Sequence, residues 1–233
     1  AGSVYGTSLY VSNGTPYVSY KDYANGAKCT VMMYNGATWN TVGNPGFSSD
    51  SICTVTSLYI YNGIPYVAYG VQGVTVKMYN GINWVTVGNE NFSPSGEYPS
   101  LYVYNGTPYV AFQDGPLDGK CTVMMFNGTD WIILGNAGIS PGDCAAASLH
   151  GANEIPYVAF DCEDIISAMK FNGTSWTNVG TEKLNNTGGG TMSLYVYNGT
   201  PYVAFRDSIN GYKATVKKFD GTNWVTVGNA GFS

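Results

Sequence analysis

Charge is what this chain has least of. Only 11% of its 233 residues are Asp, Glu, Lys or Arg, and the net charge is −5, whereas soluble domains carry roughly 25% charged residues. No stripe of Lys and Arg is available to neutralise phosphates, which excludes nucleic acid as a partner. Apolar runs are only a few residues long, so no segment reads as a membrane span. Helix formers such as Leu, Glu, Lys and Gln are scarce, and no sustained 3.6-residue period appears. A single histidine, His150, is present. CxxC, HExxH and P-loop patterns are all missing, so no metal or cofactor is expected. The abundant residues are Gly (31) and Tyr (20). Gly and Asn suit tight turns with positive φ, and Tyr, Val, Thr and Trp suit strands. The composition is that of an all-β protein.

One motif is written five times: SLYVSNGTPYVSY from Ser8, SLYIYNGIPYVAY from Ser57, SLYVYNGTPYVAF from Ser100, SLHGANEIPYVAF from Ser148 and SLYVYNGTPYVAF from Ser193. Its proline recurs at Pro16, Pro65, Pro108, Pro156 and Pro201, spaced 49, 43, 48 and 45 residues apart. A second motif ends at Trp39, Trp84, Trp131, Trp176 and Trp224, each with an aromatic five residues earlier. One unit therefore reads as four strands, a to d. Asn-Gly forms a type I′ hairpin between a and b, and Pro begins b, where a missing N–H costs least. A variable loop leads to c, a second Asn-Gly or Asp-Gly turn leads to d, and a longer Gly/Asn/Ser-rich loop returns to the next a. Four antiparallel strands in about 47 residues match one β-propeller blade. Runs such as VMMY, apolar on both faces, suit blades packed between two neighbours. The predicted fold is a single five-bladed β-propeller, with blades near 1–47, 48–92, 93–140, 141–184 and 185–233.

From strand b onward the units resemble kelch-type repeats, in which an apolar strand is followed by a Tyr and a Trp at near this spacing. Ser19-Tyr20, or Ala with Tyr or Phe, stands where kelch repeats carry Gly-Gly. A five-bladed ring also resembles the tachylectin-type lectins in architecture. These resemblances imply a propeller fold, and a fold does not by itself imply a function.

Candidate site residues recur with the repeat. Asp22, Asp114 and Asp207 share one position just after strand b, with Asp161, Glu163 and Asp164 nearby in blade four. They would face one side of the ring, where they could bind a cation or line a channel mouth, or they could cap their own loops. Paired carboxylates also raise a glycosidase as a third reading, but catalytic residues are normally singular and these repeat. The five Trp side chains could stack on sugar C–H faces, with avidity from five equivalent pockets, or fill the space between blades. His150 replaces a repeat Tyr, and with no nucleophile or acid flagged beside it, it reads as a packing residue. Glycines 188–190 lack a strand–loop–helix context and read as a loop. Sequons at Asn13, Asn91, Asn105, Asn127, Asn172, Asn185 and Asn198 follow largely from the hairpin Asn-Gly.

The five cysteines also follow the repeat. Cys29 and Cys121 both start strand c, and Cys53 and Cys144 both lie in the d–a loop that follows. Disulfides Cys29–Cys53 and Cys121–Cys144 are expected, with Cys162 free. The competing pair is Cys144–Cys162, which would leave Cys121 unpaired. Disulfides imply an extracellular or cell-surface protein. The chain begins at Ala1, just before a strand a, and no blade draws strands from both ends. That framing suits one module of a longer chain or assembly. The expected function is non-catalytic recognition of a glycan, or of a protein partner, at a propeller face. The alternative is a structural unit of a surface appendage or larger secreted protein.

Overall fold

The computed structural model describes residues 2–49, 53, 55–70, 72–152, 154–163, 165–180, 183–184 and 192–233. Asp164, Asn185 and glycines 188–190 lie outside them. The chain forms five four-stranded antiparallel sheets, each in sequence order across the sheet, the blade architecture of a five-bladed β-propeller. Blade one comprises β1 (Val4–Ser12), β2 (Thr15–Asp22), β3 (Lys28–Tyr34) and β4 (Trp39–Thr41). Blade two comprises β5 (Thr56–Tyr61), β6 (Ile64–Gly70), β7 (Val74–Tyr79) and β8 (Trp84–Thr86). Blade three holds β9 (Gly96–Tyr104), β10 (Thr107–Asp114), β11 (Lys120–Phe126) and β12 (Trp131–Ile133). Blade four holds β13 (Cys144–Ala152), β14 (Ile155–Cys162), β15 (Ile165–Phe171) and β16 (Trp176–Asn178). Blade five holds β17 (Met192–Tyr197), β18 (Thr200–Asp207), β19 (Lys213–Phe219) and β20 (Trp224–Thr226). The only helical pieces among the described residues are two three-residue 3-10 turns, Tyr23–Asn25 and Gly115–Leu117.

The turn chemistry explains the repeat's punctuation. Asn13 and Gly14 both have positive φ (48° and 78°), as type I′ requires, and the same pair recurs at Asn62-Gly63, Asn105-Gly106 and Asn198-Gly199. The turn into strand d is longer. Asn35 Oδ1 accepts from the backbone N–H groups of Ala37 and Thr38, and Asn80, Asn127, Asn172 and Asp220 do the same in their blades. An Asn or Asp is needed there for its side-chain oxygen, which stands in for a backbone acceptor.

Two compact units are present: Ala1–Val110 with Met125–Ile132, and Ala111–Met124 with Ile133–Ser233. Each has an apolar core between consecutive blades. In the first, Cys29, Val31 and Val42 of blade one pack on Leu58, Ile60, Val67 and Tyr69 of blade two. In the second, Ile166, Ala168, Val179 and Leu184 meet Leu194, Val196, Val203 and Phe205. The strand-a leucines at 58, 101, 149 and 194 are each 4% exposed, but Leu9 is 65% exposed and Trp39 45%. The repeat pattern alone places all five of each between blades.

The cysteines need one correction. Cys29 is bonded to Cys53, with Cα atoms 5.8 Å apart. Cys144 is bonded to Cys162 rather than to Cys121, which is a buried free thiol. The reason is strand extension. β13 runs back to Cys144, which places it directly opposite Cys162 in the β13–β14 ladder, with Cα atoms 4.3 Å apart. Cys144 still keeps the loop position of Cys53: its N–H donates to Gly119 O, as that of Cys53 donates to Ala27 O, both at 3.0 Å. Burial and the nearby Asp114 push the Cys121 thiol up to about 12.

Two outcomes follow. Leu58→Ala should cost about 2–5 kcal/mol in denaturant unfolding. Cys162→Ser should redirect Cys144 to Cys121, read by non-reducing peptide mapping with Cys29–Cys53 as internal reference.

Candidate functional site

The recurring Trp side chains join blades. Each of four donates its indole N–H to the strand-d end of the preceding blade: Trp84 to Val42 O, Trp131 to Val87 O, Trp176 to Leu134 O and Trp224 to Val179 O, at 2.7–2.8 Å. The next residue along that end is a glycine with positive φ (Gly43, Gly88, Gly135, Gly180), and a Cβ there would press into the Trp and its neighbouring Tyr or Phe ring. Phe47 stacks on Trp84 and Phe92 on Trp131, with centroids 4.1 Å apart.

The recurring Asp residues fasten loops within their own blades. Asp22, Asp114 and Asp207 are buried. Their carboxylates accept from the hydroxyls of Thr30, Thr122 and Thr215 on strand c, at 3.0, 2.8 and 2.8 Å. The same threonine oxygens accept from Gly46, Gly138 and Gly231 in the d–a loops. Burial alone would raise the Asp207 carboxyl, but hydrogen bonds from Asn210, Thr215 and the backbone N–H groups of Asn210 and Ile209 hold it below its ordinary value. In blade four Cys162 stands at this position, beside buried Asp161 and exposed Glu163. His150 packs on Tyr195 with ring centroids 4.4 Å apart, and its Nδ1 accepts from Val196 N–H at 3.2 Å. Burial lowers its pKa.

A concave feature lies between blades four and five. It is a recess of about 540 Å³ lined by Tyr157, Lys170, Tyr202, Lys218, Phe219 and Asp220, with Thr200 and Pro201 at the hairpin edge. That volume is in the range of small-ligand sites. Strand pairing sets Tyr157 opposite Lys170 and Tyr202 opposite Lys218, so each blade supplies one aromatic–ammonium pair. Asp220 is committed elsewhere: backbone N–H groups of Asn223 and Thr222 hold its carboxyl below the ordinary value, with Lys218 contributing. None of the five Trp residues and none of Asp22, Asp114 and Asp207 line this recess. Its lysines occupy an ordinary strand-c position that reads Met33, Met78 and Met125 in the first three blades, and only the packing of blades four and five makes them a pair.

No protein-family profile matches the chain, and no curated protein matches it. Solved structures do resemble it. A fucose-recognising, six-bladed β-propeller lectin from Aleuria aurantia aligns over 95% of this chain and 76% of its own, at 16% identity and a TM-score of 0.67. An ulvan lyase aligns over 94% and 69%, at 15% identity and 0.58. An α-L-arabinofuranosidase from Clostridium thermocellum aligns over 95% and 93%, at 15% identity and 0.53. At these identities the likeness establishes the propeller fold, without a kelch signature and without an activity.

Because the His150 pKa is lowered in the folded chain, the native state holds fewer protons than the unfolded one, and stability falls as pH drops through about 6.5. His150→Tyr, restoring the repeat residue, should flatten that step in urea midpoints measured on either side of the ordinary His pKa of about 6.5.

Proposed function

We propose that this chain is a non-catalytic carbohydrate-recognition propeller of the extracellular space or cell surface, with the blade four–five recess as its binding site. The observation that carries this reading is the paired arrangement of Tyr157 with Lys170 and Tyr202 with Lys218 around one recess. Aromatic side chains offer apolar faces to sugar C–H groups, and two ammonium groups donate to hydroxyls or acidic substituents. The site therefore favours uronic or sulfated saccharides over neutral ones. Two disulfides support an oxidising compartment. Among the described residues no helix is long and apolar enough to cross a membrane.

The absence of catalysis is part of the proposal. Glycoside hydrolysis generally needs two carboxyl groups, one of them protonated as general acid. Asp220 is the one carboxylate lining the recess, and its backbone hydrogen bonds favour the ionised form. The Trp and repeated Asp positions serve here as the scaffold that sets blade spacing and loop position, so binding at this recess does not depend on five equivalent pockets.

A glycan array containing uronate, sulfated and neutral oligosaccharides tests the reading directly. Acidic glycans should bind, and Lys170→Ala or Lys218→Ala should each weaken binding about tenfold, or about 1.4 kcal/mol, with an unchanged unfolding midpoint. Release of reducing sugar from arabinan would instead support the glycosidase reading. No binding to any glycan would support a structural role.

A further inference from the structure

A smaller recess of about 250 Å³ lies among blades one, two and three, lined by Tyr5, Lys21, Tyr23, Val55, Glu97 and Tyr98. All six residues belong to one compact unit. Tyr5, Tyr23 and Tyr98 are exposed aromatic side chains. Exposed aromatics scattered singly need no explanation, but three converging on one hollow beside a lysine and a glutamate do.

The lining comes from equivalent places in successive blades. Gly6, Val55 and Tyr98 each stand two residues before the strand-a serine, at Ser8, Ser57 and Ser100, and Tyr5 and Glu97 stand three before it. Blade one bulges here: its pairing shifts register between Tyr5 and Ser8, and Gly6 takes a φ of 60°. Tyr98 takes a φ of 50° at the same position. Glycine adopts that left-handed conformation freely, whereas a bulky aromatic is strained in it. Glycine is thus the relaxed choice that blade one makes, and blade three carries tyrosine in spite of the strain. Backbone strain of this kind gathers at ligand sites.

The scaffold holds the remaining lining in place. Tyr5 pairs with Lys21 across β1 and β2, and the Lys21 ammonium lies 5.0 Å from the centre of the Tyr23 ring. Tyr23 opens the 3-10 turn that Asp22 caps, where Asp22 accepts from Ala24 N–H at 3.0 Å and from Asn25 Nδ2 at 2.8 Å. Thr56 Oγ1 donates to Gly6 O at 3.0 Å, which ties the residue after Val55 to the bulge of blade one. Lys21 and Glu97 differ from these committed groups. Among the described residues neither side chain forms an ion pair or a hydrogen bond.

We propose that this recess binds a neutral sugar. An acidic ligand would meet Glu97 and a cationic one would meet Lys21. A hydroxyl both donates and accepts, so a polyol satisfies the ammonium and the carboxylate together. The tyrosine rings offer apolar faces to the C–H side of a pyranose. The volume is below the roughly 300–1,000 Å³ of drug-sized sites, which suits a single sugar ring. This site differs in chemistry from the blade four–five recess, whose two ammonium groups select acidic saccharides, and it stands without that reading.

Saturation-transfer NMR titrations on the intact chain, with the methyl glycosides of glucose, galactose, mannose and fucose as probes, test the assignment. At least one glycoside should receive saturation, and an excess of an oligouronate should not displace it. Tyr98→Gly should weaken that binding by at least about tenfold. Its urea midpoint should be unchanged or raised, because relief of strain offsets the extra freedom of glycine in the unfolded chain. Tyr5→Ala and Glu97→Gln should also weaken binding, and Ile82→Ser, on an exposed turn of blade two, should not. Saturation of none of the four probes, or binding that Tyr98→Gly and Tyr5→Ala leave intact, would overturn the proposal. Displacement of the neutral glycoside by the oligouronate would overturn it too, because both ligands would then share one recess. Acidic-glycan binding is read separately, so failure at either site is distinguishable from failure at the other.

Discussion

Everything in this structure depends on how one blade meets the next, and that meeting depends on a tryptophan. Its indole N–H must find an acceptor once the ring is buried. The acceptor is the carbonyl at the strand-d end of the preceding blade, 2.7–2.8 Å away at four joints. The ring can approach that closely only because the following residue is glycine in the left-handed region. A short polar contact thus fixes the register of one blade on another, and the apolar cores on either side supply most of the driving force. The serine-to-leucine bond along strand a is a second fixed point, and together they leave little freedom to slide.

With spacing set this way, the blades differ where the repeats differ in sequence. The repeated Asp side chains are taken up in holding strand c and the d–a loop together, and buried carboxylates that accept several hydrogen bonds are well compensated. The recess between blades four and five is distinctive because strand c there carries Lys170 and Lys218 in place of Met. Ammonium heads at the edge of an aromatic-lined recess suit a polar, partly apolar ligand such as a sugar bearing acidic groups. The same economy governs the cysteines. Blade one ties a loop to strand c, whereas blade four ties its own first two strands, because Cys162 occupies the position at which other blades use Asp.

The all-β class, the five repeats, their strand order and the type I′ turns are legible in the chain because each has a local cause: Asn-Gly backbone preference, a proline at a strand start, a Trp after a turn. The pairing Cys29–Cys53 follows from the repeat frame as well. Cys121–Cys144 does not, because Cys144 is within the frame's reach of Cys121 but directly opposite Cys162, and cross-strand register decides between them. The recess was not legible from any motif. Its lysines lie in different blades, 48 positions apart, and neither residue type nor spacing marks them.

What the sequence determined by itself, then, is the blade: its strands, its turns and the residues that recur in it, all set by interactions spanning a few residues or one hairpin. The tertiary structure decided what those residues do. Cys29 and Cys121 are the same residue in the same motif, yet one is bonded to Cys53 and the other is a buried free thiol, because cross-strand register gives Cys144 to Cys162. Asp207 and Lys218 likewise part company only in three dimensions, one turned to its own loop and the other to a recess shared with blade four. A repeat specifies identical local geometry at every copy, and packing against unlike neighbours is what makes the copies differ.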